Sequence, residues 1–356
     1  MSHPPGVLPA DFSYADLAAF DAFIDVRSPG EFAEDHLPGA ENFPVLDDAE
    51  RAQVGTLHKQ TSAFEAKKVG AAMVARNIAQ YLDEHFHAKP RGWKPLIYCW
   101  RGGTRSGAMT HILKSIGWHA VQLEGGYKSY RAVVRRDLDA LPGQFNFRVI
   151  CGRTGCGKSR LLEALAAAGA QALDLERLAA HRGSVLGNLP DEAQPTQKIF
   201  DSLIWHALQG FDPVRPVFVE AESKRVGMLR VPDVLMERMR ESPCLVLDTA
   251  RAARIELLRE DYRHLIADRA LLDGKLDRLI ELHSRERIES WKALASAHDW
   301  DGLVAELLDH HYDPAYGKSM SRNYRRIADA RHIAIDDISP KALTALAEQF
   351  QQVEIN

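Results

Sequence analysis

The sequence predicts two consecutive α/β domains, the second running on into a helical C-terminal region. Three observations carry that expectation. Short apolar runs alternate with segments of helical periodicity on both sides of a break near Pro142 and Gly143. Two of those runs lead straight into glycine-rich loops, "CWRGGTRSGAM" from Cys99 and "CGRTGCGKSRLL" from Cys151. From about Arg251 onward the pattern is mainly amphipathic helix, as in "IELLREDYRHLIADRALLDGKLDRLIELHS".

In chain order, "AFIDVRS", "PLIYC" and "HAVQLEGG" read as strands of the first domain, and "AAMVARNIAQYLDEHF" as a helix. "LDALPGQFN" lacks periodicity and reads as a linker. "FRVICG" opens the second unit, with "AQALDLE", "PVFVEAE" and "PCLVLD" as its further strands. The expected boundaries are 1–137 for the first domain, 138–146 for the linker and 147–356 for the second domain with its helical C-terminal part. No internal repeat or low-complexity segment interrupts this order.

The 356 residues give room for about two domains. An apolar fraction of 46% with 26% charged residues belongs to a soluble globular protein, and no apolar run approaches the length needed to span a bilayer. "MSHPPGVLPADFSYADL" lacks the basic start and apolar stretch of a secretory signal. The four cysteines, two of them in anion loops, read as reduced thiols of a cytoplasmic protein, with Cys244 a buried strand residue. A net charge of −4 argues against indiscriminate nucleic-acid binding. Local basic clusters remain: "YRAVVRRD", "ESKRVGMLR", "TARAARIELLRE" and "GKSMSRNYRRIADARH". Together with two anion loops they point to a polyanionic substrate.

Gly152, Gly157, Lys158 and Ser159 match G-x-x-x-x-G-K-[ST] between a strand and a helix, with Gly155 inside the loop. Such a loop turns backbone N–H groups toward phosphate oxygens, and the following helix adds its positive end. Lys158 supplies a mobile charge, and Ser159 a hydroxyl able to hold Mg²⁺. Asp174, Glu176 and Glu220 are the candidate acidic partners of that site.

Cys99, at a strand–helix junction with Trp100, Arg101, Gly102, Gly103 and Arg105, reads as a nucleophilic thiolate whose pKa the arginines lower. Trp100 can contact substrate, whereas Trp93 and Trp118 read as packing. The spacing Cys99 to Arg105 is also the C-x5-R of cysteine phosphatases, although Tyr98 stands where those enzymes carry histidine. A cysteine-dependent phosphatase with a nucleotide-binding regulatory domain is the alternative. A non-enzymatic nucleotide sensor is a third reading, opposed by the intact Cys99 loop and the Lys158–Ser159 pair. His85, His87, His310 and His311 lack metal-ligand spacing, and no metal site is expected.

"DVRSPGEFAEDHLPGAENFPV", "CWRGGTRS" and "LEGGYKSYR" together resemble a rhodanese domain, a sulfur-transfer fold whose loop cysteine carries a persulfide. A rhodanese-like α/β domain followed by a P-loop NTPase-like α/β domain resembles the tRNA 2-selenouridine synthase family. The likeness runs through most of the chain and includes "GRTGCGKS", "DLERLAAHRGSVLG" and "VFVEAESKRVG". The resemblance implies replacement of sulfur by selenium at C2 of a wobble 2-thiouridine in the tRNA anticodon loop. It further implies an S-geranyl intermediate made from geranyl diphosphate, with selenophosphate as selenium donor. No tightly bound cofactor, Mg²⁺ as an option and no membrane partner go with it. Cys99 would serve the exchange and the P-loop the diphosphate or phosphate. Asp174, Glu176, His181, Arg182, Glu220, Glu222, Ser223, Lys224 and Arg225 would be substrate-binding candidates. Arg251 and Arg254, on one helix face, are added as tRNA contacts. One departure is the loop itself, one residue longer than the usual sulfurtransferase loop, which puts ordinary thiosulfate chemistry in doubt.

Overall fold

The computed structural model describes residues 6–184, 186–190 and 192–354. The chain folds as two compact units. The first comprises the chain up to Leu138 together with Thr196–Gln209. Its sheet is built from Val7–Leu8 (β1), Ala22–Asp25 (β2), Ala40–Asn42 (β3), Pro95–Tyr98 (β4) and Val121–Leu123 (β5). All pairings are parallel, in the order β1-β5-β4-β2-β3. Every residue of β4 is buried, as expected for a central strand covered on both faces. The core joins Ile24, Val26 and Ile97 to Met109 and Leu113 of the helix Thr104–Ile116, and it includes Trp93 and Trp118.

The helix Gln197–Gln209 belongs to this unit although the sequence reading places it at 147–356. Its apolar face carries Phe200, Ile204, Trp205 and Leu208, all buried. Trp205 lies edge-on to Tyr14 and Tyr130 and donates from Nε1 to Asp137 at 2.8 Å. An amphipathic pattern shows that a helix has a partner face, not which sheet supplies it. The expected linker also has structure: Leu141–Gln144 is a 3-10 turn.

The second unit holds Asn146–Cys151 (β6), Gln171–Leu173 (β7), Pro216–Glu220 (β8), a small hairpin of Arg225–Val226 (β9) and Leu229–Arg230 (β10), Cys244–Thr249 (β11) and Arg331–Ile335 (β12). The five-stranded sheet is parallel in the order β12-β11-β6-β8-β7. β6 therefore sits centrally and delivers its loop at the carboxyl edge, where ligands of such sheets bind. β12 lies in the stretch expected to be mainly helical. It is an edge strand with a single buried residue, Ile335, so its sequence lacks the apolar run of a central strand. The C-terminal helices pack around Leu265, Leu272, Leu276, Ile288, Trp291 and Leu303. Among the described residues no helix is long and apolar enough to cross a membrane.

Candidate functional sites

The first site lies in the first unit, at the end of β4. Gly102 and Gly103 both take left-handed backbone, φ +70° and +76°, which bends the chain from Cys99 into the helix Thr104–Ile116. A Cβ at Gly103 would stand 2.4 Å from Nε2 of Gln122. That amide donates to the Gly103 carbonyl and to the Ser106 hydroxyl, both at 2.9 Å. With a lone pair of Ser106 so occupied, its single hydrogen is left for the Cys99 sulfur at 3.3 Å or the Gly103 carbonyl at 3.4 Å. The Cys99 thiol is itself buried and donates to the Arg101 carbonyl at 3.7 Å.

The two arginines of the loop are placed differently. Arg105 is held by Glu31 at 2.8 Å, and Arg51 adds a second contact to the same carboxylate at 3.2 Å. Burial opposes ionisation of Glu31, but Arg105 foremost, with Ser28 and Arg51, keeps its pKa below the ordinary value. The charge of Arg105 is thus matched within the protein, and Arg101 remains the exposed cation of the loop. Trp100 stacks on Tyr127 with ring centres 5.2 Å apart, and Lys128 Nζ lies 5.9 Å from the indole centre. Tyr127 is fixed from behind: its hydroxyl donates to Asp35 at 3.0 Å, and the Arg27 guanidinium covers its ring at 4.0 Å. Asp35 is buried, accepts from Ser202 at 2.9 Å and lies 3.4 Å from Arg131. Burial pushes the Asp35 pKa up against those partners. Arg131 of "YRAVVRRD" is therefore a buried brace, also paired with Asp201 at 3.0 Å. Asp35 and Ser202 carried no sequence signal, since the contact spans 167 positions.

The second site follows β6. Gly155 and Gly157 take φ +78° and +90°, and Gly157 caps the helix Lys158–Ala167. Any Cβ on Gly155 would come within 2.8 Å of Leu258 and 3.0 Å of the Arg254 carbonyl. Lys158 Nζ donates to the Gly152 carbonyl at 3.0 Å, Gly152 N donates to the Tyr316 hydroxyl, and Ser159 donates to Glu176 at 2.9 Å. Burial works against the Lys158 charge, yet Cys156, Glu176 and Glu222 around it hold its pKa above the ordinary value.

Glu176, Glu220 and Glu222 come together beside this lysine. Glu220 Oε1 accepts from the Glu176 amide at 2.8 Å, while its buried Oε2 has no hydrogen-bond partner among the described residues. Burial first, then the neighbouring carboxylates, drives the Glu220 and Glu222 pKa values well above the ordinary range. Three carboxyls this close cannot all ionise in a closed space. Asp174 instead caps the helix Leu175–Leu178 by accepting from the Arg177 amide. His181 is buried, and Arg182 pairs with Asp261 at 3.2 Å on the cavity wall. Ser223 lines the same cavity and bonds to the Arg225 carbonyl, whereas Lys224 and Arg225 are exposed at the start of the hairpin. Among the described residues, no three His, Cys, Asp or Glu side chains converge as a metal-binding set.

Arg254 corrects an expectation. Rather than facing RNA, it is buried and binds the Thr154 carbonyl at 2.9 Å and both oxygens of Asp313 at 2.6 and 3.0 Å. Arg251, on the same helix, pairs with Asp309. Arg251 stays half-exposed in a surface ion pair, whereas Arg254 is committed to Asp313 and braces the P-loop through the Thr154 carbonyl.

The P-loop opens on a cavity of ≈ 440 Å³ lined by Lys158, Ser159, Arg160, Glu176, Arg182 and Tyr316, among others. A second, smaller chamber of ≈ 60 Å³ shares Thr154, Leu258, Tyr262 and Tyr312 with it. Its other walls are Leu186, Leu265, Ile266, Leu272, Trp300, Leu303, Val304 and Leu307, with Arg259 the one charged residue. The sequence motifs did not reveal this chamber, most of whose walls come from helices spread over residues 258–312.

Fold and sites define a class: a two-domain α/β protein with a cysteine on a rhodanese-type loop in the first unit and a P-loop in the second. Comparison with known proteins agrees. Residues 13–133 match the rhodanese-like domain, and residues 145–277 match the tRNA 2-selenouridine synthase AAA domain. Proteins named tRNA 2-selenouridine synthase from Marinobacter nauticus and Sulfurovum sp. are 31% and 32% identical to this chain. The match spans 85% of the chain in both cases, and 89% and 90% of those proteins. The Aeromonas salmonicida protein of the same name is 32% identical over 92% of this chain and 79% of its own length. The chain belongs to the tRNA 2-selenouridine synthase family.

Proposed function

We propose that the protein replaces sulfur by selenium in the wobble 2-thiouridine of tRNA, by way of an S-geranyl intermediate. The observation that favours this reading is the apolar chamber beside the P-loop cavity, which shares Thr154, Leu258, Tyr262 and Tyr312 with it. A diphosphate seated at Lys158 and the loop N–H groups would send a hydrocarbon tail past Thr154 and Leu258, and each buried CH₂ is worth about 0.8 kcal/mol.

In the first step the thiocarbonyl sulfur attacks C1 of geranyl diphosphate, the C–O bond breaks and diphosphate leaves with its charge balanced by Lys158. Alkylation turns a poor leaving group into a good one. Cys99 attack at C2 would then expel geranyl thiolate, and the selenium of selenophosphate would displace Cys99 in turn. Water finally takes the phosphoryl group, leaving selenouridine and phosphate. Ser106 would orient the Cys99 sulfur, and Trp100, one face resting on Tyr127, would offer its other face to the extruded base. Ser159 and Glu176, 2.9 Å apart, are the residues that would hold an Mg²⁺ accompanying the diphosphate, and no step here runs through that ion.

The test is mass analysis of tRNA nucleosides after incubation with selenophosphate, with and without geranyl diphosphate. Geranylated and then selenated nucleoside are expected from the wild type. Cys99→Ala should stop at the geranylated stage while the protein stays folded. Full selenation by Cys99→Ala would remove Cys99 from the exchange, and absence of any geranylated nucleoside in the wild type would refute the intermediate.

A further inference from the structure

A cavity of ≈ 340 Å³ lies apart from both loops, between residues 188–190 and the helix Arg269–Asp277. Lys275 and Arg278 line it, together with His264 and Asn188, and among the described residues none that lines it is acidic. Lys275 is only 5% exposed, and its ammonium donates to two neutral acceptors, the Leu186 carbonyl at 3.2 Å and Asn188 Oδ1 at 3.3 Å.

The carboxylates of the same helix are engaged elsewhere. Asp273 holds Arg269 at 2.8 Å, Asp277 holds Lys292 at 2.6 Å, and Asp268 caps the helix by accepting from the Leu271 amide at 2.9 Å. Arg278 stands exposed at the rim, in no ion pair among the described residues. Burial and then the Arg278 charge lower the Lys275 pKa, and Lys275 in turn adds to burial in lowering that of His181. A buried cation without a counter-charge is costly unless an anion completes it. Gly274 also lines the cavity, and nothing lies within 4 Å of where its Cβ would stand, so no side chain of the helix closes the cavity at that point.

We infer that this cavity is a second anion site, separate from the P-loop, which takes a phosphate group between Lys275 and Arg278. The source favoured is a backbone phosphodiester of the RNA substrate. That choice of source rests on the proposed function; the anion site itself does not.

The test uses the full chain carrying Lys158→Ala, which weakens phosphate binding at the P-loop, with and without Arg278→Gln. Inorganic phosphate binding is followed by phosphorus NMR, and tRNA affinity is measured across a salt series. Arg278 is exposed, so its replacement leaves the fold intact; Lys275→Met, checked for folding by circular dichroism, is the second variant. Each loss should weaken phosphate binding about tenfold or more. Arg278→Gln should also flatten the logarithmic salt dependence of tRNA binding by about 0.7–0.9 units. Weaker phosphate binding with an unchanged tRNA slope would assign the site to a free phosphate-bearing ligand and refute the RNA source. Unchanged phosphate binding and unchanged slope in Arg278→Gln would overturn the site. If tRNA fails to bind even the wild type, the proposed function falls while the phosphate arm still decides this inference.

Discussion

Replacing Arg254, a residue only 4% exposed, by methionine keeps an aliphatic stem but removes the guanidinium that holds Thr154 and Asp313 together. A hydrogen bond to a charged group is worth about 1.5–3 kcal/mol, and breaking a buried pair costs about 3–5 kcal/mol. The Asp313 side chain is 20% exposed and keeps Arg153 at 3.5 Å, so the lower end of that range, about 3 kcal/mol, applies. In a unit of this size each kcal/mol moves the melting point by about 2–4 °C, giving a drop of about 6–12 °C. Calorimetry measures this directly. Geranyl diphosphate binding should weaken too, since the Thr154 carbonyl loses its anchor, whereas the salt slope of tRNA binding should stay unchanged. Normal melting combined with a shallower tRNA slope would refute the reasoning and return Arg254 to the RNA surface.

Lys158→Ala should raise the Kd of geranyl diphosphate by about 10- to 150-fold, the equivalent of one charge-assisted contact; an unchanged Kd in a folded variant would exclude the P-loop as its seat. Ile266→Trp should crowd the apolar chamber and weaken geranyl diphosphate by about tenfold while inorganic diphosphate binds as before, by titration calorimetry. Equal losses for both ligands would mean the tail lies elsewhere. Glu220 has a folded-state pKa raised by burial, so the folded state binds more protons than the unfolded one, and stability falls as pH climbs above about 4.5. Glu220→Gln should therefore gain melting temperature relative to wild type at pH 8 but not at pH 4; identical pH profiles would contradict the buried protonated acid.

Both loops were legible because each is written in contiguous residues: glycines where left-handed backbone is needed, and the reactive side chains a few positions away. Lys158, Ser159 and Cys99 are found by reading along the chain. The acidic cluster was half legible. Glu176, Glu220 and Glu222 stand out as charges at strand ends, but only the sheet order that puts β7 beside β8 shows that they share one space. Partners distant in sequence were not legible. Arg105 finds Glu31 74 positions earlier, and Arg254 finds Asp313 59 positions later. Helical spacing shows that Arg251 and Arg254 share a face, yet a face can turn inward as readily as outward. The apolar chamber escaped for the same reason, since leucines at helical spacing announce burial and not an unfilled space.

The helix Gln197–Gln209 has a consequence for the order in which the protein can be made. Asp35 meets Ser202, and Asp137 meets Trp205, only after more than the first half of the chain has been synthesised. At about 5–20 residues per second the helix follows Leu138 off the ribosome by several seconds. Through that interval the first unit carries a carboxylate bound for burial and an aromatic face, Tyr14 with Tyr130, without their cover. A fragment ending at Leu138 would be held in that state permanently. Cutting the gene at the apparent domain boundary therefore yields an unfinished Cys99 domain, whereas supplying residues 196–209 in trans as a separate peptide offers it the missing surface.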